Sequence, residues 1–521
     1  VDGLVILIPL LSLLAAALVG FGIMSGYLQG EAKEGLTAMM VNWSMSMVCL
    51  LIVSLEILGY LDRVNGSIVF SSWLISDTLD FRHNFITRGF ALHTDLVFSI
   101  ILLVTGQFSV NYLHREPGYH RFFFVLSLFA FAIHLLLLSG NLLGTFIGWE
   151  IAGLSSYFLI AYAYDRPNAA LNATRVFVTN RIGDAGFVLG IALSYLWLES
   201  SDWPIIKTGI VDLTKGESAT IGLCFLTAAF VKSAQLPFSP WLLRSMEGPT
   251  PSSAVFYGGV MIHAGVFLVI RLQPLIEQTP LAIVLLLLTG AATVIFSYLS
   301  GLTQTDVKSS HAFATIGQLG LMFVECGMGW WQLASWHLWA HAVFRCYLIL
   351  TAPSFIANTM ANPVKPAPQM LMRFNGLFIA SLQRFWIEQL SDWAMVRPIG
   401  RLGHDLSYFD DYIVDKIMGV PVPAIQAVST LAQIEELALA PSVTTTGADI
   451  SIKNVGLLGL IVHWFSGVVH WFEDRLVLQG VSRDVLDAGR KIGYLANQFE
   501  LMILRPRYLV LFVVITLLMA F

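Results

Sequence analysis

Long apolar runs decide the class of this chain before any motif does. "LVILIPLLSLLAAALVGFGIM" (4–24) and "LAIVLLLLTGAATVIFSYLSGL" (281–302) each meet the roughly 20-residue length needed to cross a bilayer. Such runs recur along 521 residues that are 56% hydrophobic and only 12% charged, with a mean hydropathy of +0.73. A soluble domain carries about twice that share of charge. The first run is not preceded by a basic segment and further spans follow it, so it reads as a span and not as a signal peptide. The expectation is an all-α polytopic membrane protein with about 12 transmembrane helices.

Spans are expected near 4–24, 38–60, 92–113, 121–138, 141–164, 176–197, 218–236, 252–272, 281–302, 309–327 and 331–352. Segment 61–90 is polar and contains the alternating "SIVFSSWLIS" (67–76), which predicts a hairpin outside the membrane. After Pro353 the character changes. "ANPVKPAPQ" (361–369) reads as a linker, and "RFNGLFIASLQRFWIEQLSDWAM" (373–395) as an amphipathic helix on the membrane surface. Residues 442–451 read as a loop, and 455–472 as either a span or an interfacial helix. The division is a transmembrane domain over 1–355, a peripheral segment over 356–505 suited to docking a partner, and an anchor helix over 506–521. With the N-terminus outside, the inner loops carry Arg115, Arg121, Arg166, Arg175, Arg244 and Lys308. That charge bias places 356–505 on the cytoplasmic face.

Several functions are excluded. A net charge of −5 with no basic run argues against a nucleic-acid partner. Cys49, Cys224, Cys326 and Cys346 are scattered through apolar segments with no CxxC pair, so neither a zinc ribbon nor an iron–sulfur site is supported. There is no Walker A loop and no dinucleotide fingerprint. No cofactor and no catalytic chemistry are expected in this chain.

Ionisable residues inside the apolar segments are the functional signal, because each costs at least a few kcal/mol at mid-membrane and needs a partner. Glu150 lies in "LGTFIGWEIAGLSSYFLIAY", Asp184 in "TNRIGDAGFVLGIALSY" and Lys232 in "LCFLTAAFVKSAQLPFSPWLL". Lys308 opens "KSSHAFATIGQLGLMF", with His311 close behind. In "WHLWAHAVFRCYLIL", His337, His341 and Arg345 share one helical face at i, i+4 and i+8. His134, His263 and Glu325 sit singly in other spans. Each could be a packing hydrogen bonder or half of a structural ion pair. His337 and His341 have the spacing of a zinc pair, but no neighbouring Cys, Asp or Glu completes a site, so no metal is assigned.

Prolines cluster after Lys232: Pro237, Pro240, Pro249 and Pro251. They deprive a helix of donors and break it. A break at membrane depth is tolerated where the freed backbone lines a cavity for water or ions. Acid, lysine and histidine groups joined by water would form a proton relay, although such groups serve Na⁺ as well as H⁺.

"WEIAGLSSYFLIAY", "NRIGDAGFVLGI", "VKSAQLPFSPWLLRSMEGPTPSSAV", "GAATVIFSYLSGLTQTDVK" and "HLWAHAVFR" resemble, in order, the signatures of the antiporter-like subunits. These are the proton-pumping membrane subunits of respiratory complex I and of multisubunit Na⁺/H⁺ antiporters. The resemblance implies that Glu150 and Lys232 form a central coupled pair supported by Asp184, and that Lys308, His337 and His341 continue a hydrated path. Two departures mark a subfamily. The histidine expected at Tyr257 is moved to His263, and the lysine expected at the end of the ladder is Arg345, a fixed charge. A second broken helix with its own lysine, expected in a complete second half, is missing. "EGPTPSSAVFYGG", "HAVFRCYLILTAPS" and "VRP" (396–398) are similar to the DabB family of inorganic-carbon accumulation complexes. That resemblance implies a bacterial inner-membrane subunit conducting a cation, most simply H⁺. Its flux would drive CO₂ hydration to bicarbonate on a cytoplasmic, zinc-containing DabA-like partner resembling β-type carbonic anhydrases. The stretch from "FDDYIVDKIMG" onward is instead similar to the tail of the respiratory subunit, which supports the alternative of a complex I or antiporter subunit.

Overall fold

The computed structural model describes residues 2–76, 79–352 and 367–399. Its first helices are α1 (Leu7–Met24), α2 (Glu34–Tyr60), α3 (Phe90–Tyr112), α4 (Tyr119–Leu138), α5 (Leu142–Ile160) and α6 (Pro167–Leu198). A short α7 (Trp203–Gly209) leads into α8 (Lys215–Lys232). After the broken region come α13 (Pro280–Gly301), α14 (Val307–Gly327) and α15 (Trp331–Leu350). Among the described residues, 8 helical stretches are long and apolar enough to cross a membrane. α8, α14 and α15 carry more polar side chains and pack within the same bundle. Helical segments thus lie at each expected position up to residue 352, and eight of them meet the length and apolarity of a span. The expected features within 400–521, including the anchor helix, lie outside the described residues.

The predicted hairpin is present as β1 (Ser67–Ser76) and β2 (Leu79–Ile86), antiparallel with Ser67 opposite Ile86. It sits at the end of the bundle where α4 stops, joined to it by a bridge between Phe85 and Ser139.

Sequence explains which helices lie inside. "YHRFFFVLSLFAFAIHLLLL" is apolar all round, and in α4 every residue from Phe122 to Leu138 is buried. α13 instead exposes Leu288, Ile295 and Tyr298 and turns Gly290, Thr293 and Ser297 inward. There it meets α14 at Gly320: a Cβ on Gly290 would lie 2.6 Å from the Gly320 carbonyl oxygen. Small residues let membrane helices approach this closely, where packing and not water drives association.

The same device sets the position of α5. A Cβ on Gly148 would stand 2.6 Å from the Ala132 carbonyl oxygen of α4. Asn141 accepts the Gly144 amide at 2.7 Å and caps the start of α5. Trp149 and Glu150 are therefore held on a helix that cannot slide.

The break after Lys232 is where the prolines predict it, and it is longer than one kink. α8 ends at Lys232, Ala234 has a φ of 51°, and the Leu236–Pro237 peptide is cis. Pro240 begins α9 (Pro240–Arg244), and Pro249 caps α10 (Thr250–Ser253), with Pro251 in its first turn. A π-helical turn over Ala254–Gly259 follows, then a 3₁₀ turn Met261–His263 and α11 (Ala264–Arg271). This second irregularity was not expected. It contains Gly258 and Gly259, against which α15 packs closely: a Cβ on Gly258 would lie 2.7 Å from the Ile349 side chain. π-turns are frequent at functional sites.

Residues 373–395 are not the single amphipathic helix expected. They are short pieces, including α17 (Asn375–Leu382) and α18 (Ile387–Ser391) after α16 (Gln369–Arg373). Arg384, Phe385 and Trp386 between them have left-handed φ values. The charged side chains turn into the bundle instead of forming one polar stripe. Arg244 Nε donates to Glu388 at 2.6 Å, and Arg384 donates to Gln304 at 3.2 Å.

Gly148→Val should destabilise the protein by about 3 kcal/mol, the upper range for overpacking a tight core. Gly216→Ala, at a site with open space, should leave the detergent melting temperature unchanged.

Candidate functional site: two buried charge clusters

The first cluster forms where α5, α6 and α8 meet. Gly183, Gly186 and Gly190 of α6 face Val231, Thr227 and Phe225 of α8 and draw the two helices together. Arg181 is ion-paired with Glu150 and also stands 2.7 Å from Asp184 Oδ2. Trp149 Nε1 donates to Asp184 Oδ1 at 2.7 Å. Lys232, at 1% exposure, places Nζ 3.4 Å from the Trp149 carbonyl oxygen and 4.7 Å from its ring centroid.

The expected pair of Glu150 and Lys232 is therefore not a direct ion pair. Arg181 takes the glutamate, because its fork reaches two carboxylates at once, and Lys232 rests on Trp149. Arg181 was missed in the sequence. Its place one turn before Asp184, on the same face of α6, could have marked it. The site holds two acids and two bases, and the proton on Lys232 is the one not committed to a carboxylate.

The break beside Lys232 has its backbone satisfied in a particular way. The Ser233 hydroxyl donates to the Ile262 carbonyl oxygen at 2.7 Å, and Trp241 Nε1 donates to the Val231 carbonyl oxygen at 2.9 Å. The amide of Leu236 donates to Thr293 at 3.1 Å. The two irregular segments are thus tied together, with Lys232 on one side of the tie and His263 on the other.

The second cluster lies at α15, α14 and the turn before α11. His263 Nε2 stands 2.8 Å from His341 Nδ1, and Arg345 Nε donates to His341 Nε2 at 3.1 Å. That donor assigns His341 its proton on Nδ1, which in turn makes His263 the acceptor at Nε2 and the carrier of a proton on Nδ1. His337 differs. Nδ1 stands 2.9 Å from Glu325 Oε1 and Nε2 stands 2.9 Å from Gln318 Oε1. His337, His341 and Arg345 share a helix face as predicted, but the centroids of the two imidazoles are 6.0 Å apart with no bond between them.

Lys308 belongs to neither cluster. Its Nζ donates to Thr250 at 2.9 Å, and the Thr250 hydroxyl meets Tyr112 at 2.9 Å. The His311 ring makes no hydrogen bond among the described residues. His134 is buried against Asp95, a partner the sequence reading did not identify. Among the described residues no group of three or more His, Cys, Asp and Glu stands where it could hold a metal ion.

Residues 139–381 match the family described as NADH:quinone oxidoreductase/Mrp antiporter, TM. They contain both clusters and both breaks. Over that stretch the chain is similar to antiporter-like membrane subunits. NADH-quinone oxidoreductase subunit L of Neisseria meningitidis is 35% identical over 298 residues, covering 55% of this chain and 44% of that protein. NAD(P)H-quinone oxidoreductase subunit 5 of Paulinella chromatophora is 36% identical over 363 residues, covering 68% of this chain and 54% of its own length. The chain thus spans about half the length of the curated relatives it matches. The fold is similar to the Mrp complex from Dietzia sp. DQ12-45-1b, with a TM-score of 0.59 and 23% identity over 66% of this chain and 37% of that one. An archaeal membrane-bound sulfane sulfur reductase gives 0.58 at 20% identity, over 66% and 70% of the two chains.

Arg181→Ala removes the cation shared by Glu150 and Asp184. It should cost about 2 kcal/mol, below the roughly 3–5 kcal/mol of a fully buried pair, because Arg181 is partly exposed. Adding Glu150→Gln should recover part of the loss in a double-mutant cycle of melting curves.

Proposed function

We propose that this chain conducts a cation, most simply H⁺, as one subunit of a multisubunit membrane complex. The observation that carries this reading is the proline-broken crossing. It seats a buried lysine that lacks a carboxylate partner between an acid cluster and a histidine pair. Such broken helices at membrane depth mark ion sites. No direct hydrogen bond joins Lys232 to His263 or Lys308 to His341 among the described residues, so conduction requires water between them.

Arg345 is the gate in this scheme. While its Nε–H occupies His341 Nε2, that nitrogen cannot take a proton. Arginine keeps its own charge, so the gate opens by movement and not by titration. A partner that shifts α15 would couple its own state to the flux.

The parent complex has two readings. The names of the relatives favour a proton-translocating subunit of an NADH-quinone oxidoreductase or Mrp antiporter. The His263–His341–Arg345 contact favours the DabB-like alternative, since it unites the two residues that depart from the respiratory pattern. In that alternative a 100 mV potential, about 2.3 kcal/mol per charge, biases CO₂ hydration on a zinc-containing DabA-like partner docked on the cytoplasmic face.

Lys232→Ala should abolish proton flux in proteoliposomes and leave assembly intact; retention of flux overturns the conduction reading. Purification in mild detergent with metal analysis decides the parent complex. One large zinc protein is the outcome expected of the carbon-uptake reading, and recovery of several redox subunits supports the respiratory one.

A further inference from the structure

Asp95 of α3 and His134 of α4 form a buried pair that the path above does not use. Their side chains are 0% and 2% exposed, and Oδ1 lies 2.7 Å from Nδ1. The pair leaves one carboxylate oxygen open. Here Asp95 Oδ2 is buried without a hydrogen-bond partner. An open carboxylate oxygen in an apolar bundle is expensive.

Its position gives it a use. Asp95 lies about 8 Å along α3 from its start at Phe90, and His134 about 6 Å from the end of α4, both at the hairpin end. A cavity of about 690 Å³ opens on that end, lined by residues including Phe90, His93, Arg271 and Trp339. Trp339 Nε1 donates to the Thr94 hydroxyl at 3.0 Å, so the cavity wall touches the residue beside Asp95. On the other side, Phe98 lies one turn deeper, with its ring centroid 6.2 Å from that of His263. His263 Nδ1 is also buried without a partner. The tautomers assigned above put a proton on that nitrogen. An open donor at His263 and an open acceptor at Asp95 thus flank Phe98.

We propose that Asp95 and His134 carry protons between His263 and the hairpin-face cavity, with Phe98 as the barrier between the two pairs. The proposal rests on the conduction reading. Once Arg345 withdraws, a proton arriving at His341 Nε2 displaces the Nδ1 proton onto His263 Nε2. His263 then releases its Nδ1 proton to Asp95 Oδ2, and the Asp95–His134 pair passes a proton on to the cavity. One proton enters and one leaves, and each ring is left in its other tautomer. Flux in the opposite direction uses those opposite tautomers.

The test uses the full chain with its copurifying partners in proteoliposomes and reads proton flux with a pH-sensitive dye. Asp95→Asn and His134→Gln should each lower flux at least tenfold with assembly and melting temperature unchanged, while Asp95→Glu retains most of it. A purely structural pair predicts the reverse, because asparagine and glutamine keep the polar contact. Should Asp95→Asn fail to assemble, the assembled His134→Gln protein decides alone. Flux within twofold of the unaltered protein in His134→Gln, with Lys232→Ala inactive, overturns the relay and leaves the conduction reading standing. If Lys232→Ala conducts too, both fall together.

Discussion

The hydrogen bond from the Ser233 hydroxyl to the Ile262 carbonyl oxygen joins two places where the helical ladder has failed. An unsatisfied backbone carbonyl inside a membrane costs several kcal/mol, so the two breaks are only tolerable together. Gly265 makes the meeting possible, since any side chain there would strike the Ala229 carbonyl and the Ser233 hydroxyl. Lys232 is the last residue of the intact helix on one side. His263 is the residue next to the accepting carbonyl on the other. The crossing therefore fixes the separation of the two groups that the proposed path must connect.

Around that crossing, the charges are arranged so that the first cluster is locked and the second is adjustable. Arg181 holds Glu150 and Asp184 together, and Trp149 adds a donor to Asp184, so those carboxylates have little freedom. The histidines are held by single bonds that can reverse. His263 and His341 share one proton between facing nitrogens, and Arg345 holds only the outer nitrogen of the pair. A lysine between a rigid acid cluster and a reversible imidazole pair can respond to either, which a lysine in a closed ion pair could not.

Much of this was legible in the sequence. Run lengths placed the helices up to residue 352, eight of them long and apolar enough to span, and the "SIVFSSWLIS" alternation placed the hairpin. Four prolines marked the first break, because a missing amide donor acts locally. The second break was not legible. Gly258 and Gly259 gain their meaning from distant neighbours, Ile349 of α15 at the first and Ile101 of α3 with Ala342 of α15 at the second. Arg181 and Asp95 were overlooked for the same reason: their meaning lies in partners on other helices, and periodicity along one helix does not reveal them. The surface segment misled the reading because its aromatic and charged pattern fits an amphipathic helix. The segment is instead short pieces, with Glu388 ion-paired to Arg244 and Arg384 donating to Gln304 Oε1.

The i, i+4, i+8 ladder of His337, His341 and Arg345 shows how a correct pattern can suggest the wrong connectivity. Spacing on one face implies succession along that face, yet the two imidazoles are 6.0 Å apart and do not bond. Each turns sideways instead, His337 to Glu325 and Gln318 on α14, and His341 to His263 across the crossing. One turn apart, the two rings stand edge to face at 87° and present their nitrogens to other partners. The proposed path therefore runs between helices and not along one. Its route is set by which residue of a neighbouring helix stands opposite each rung, and for His341 that residue is the displaced histidine, His263.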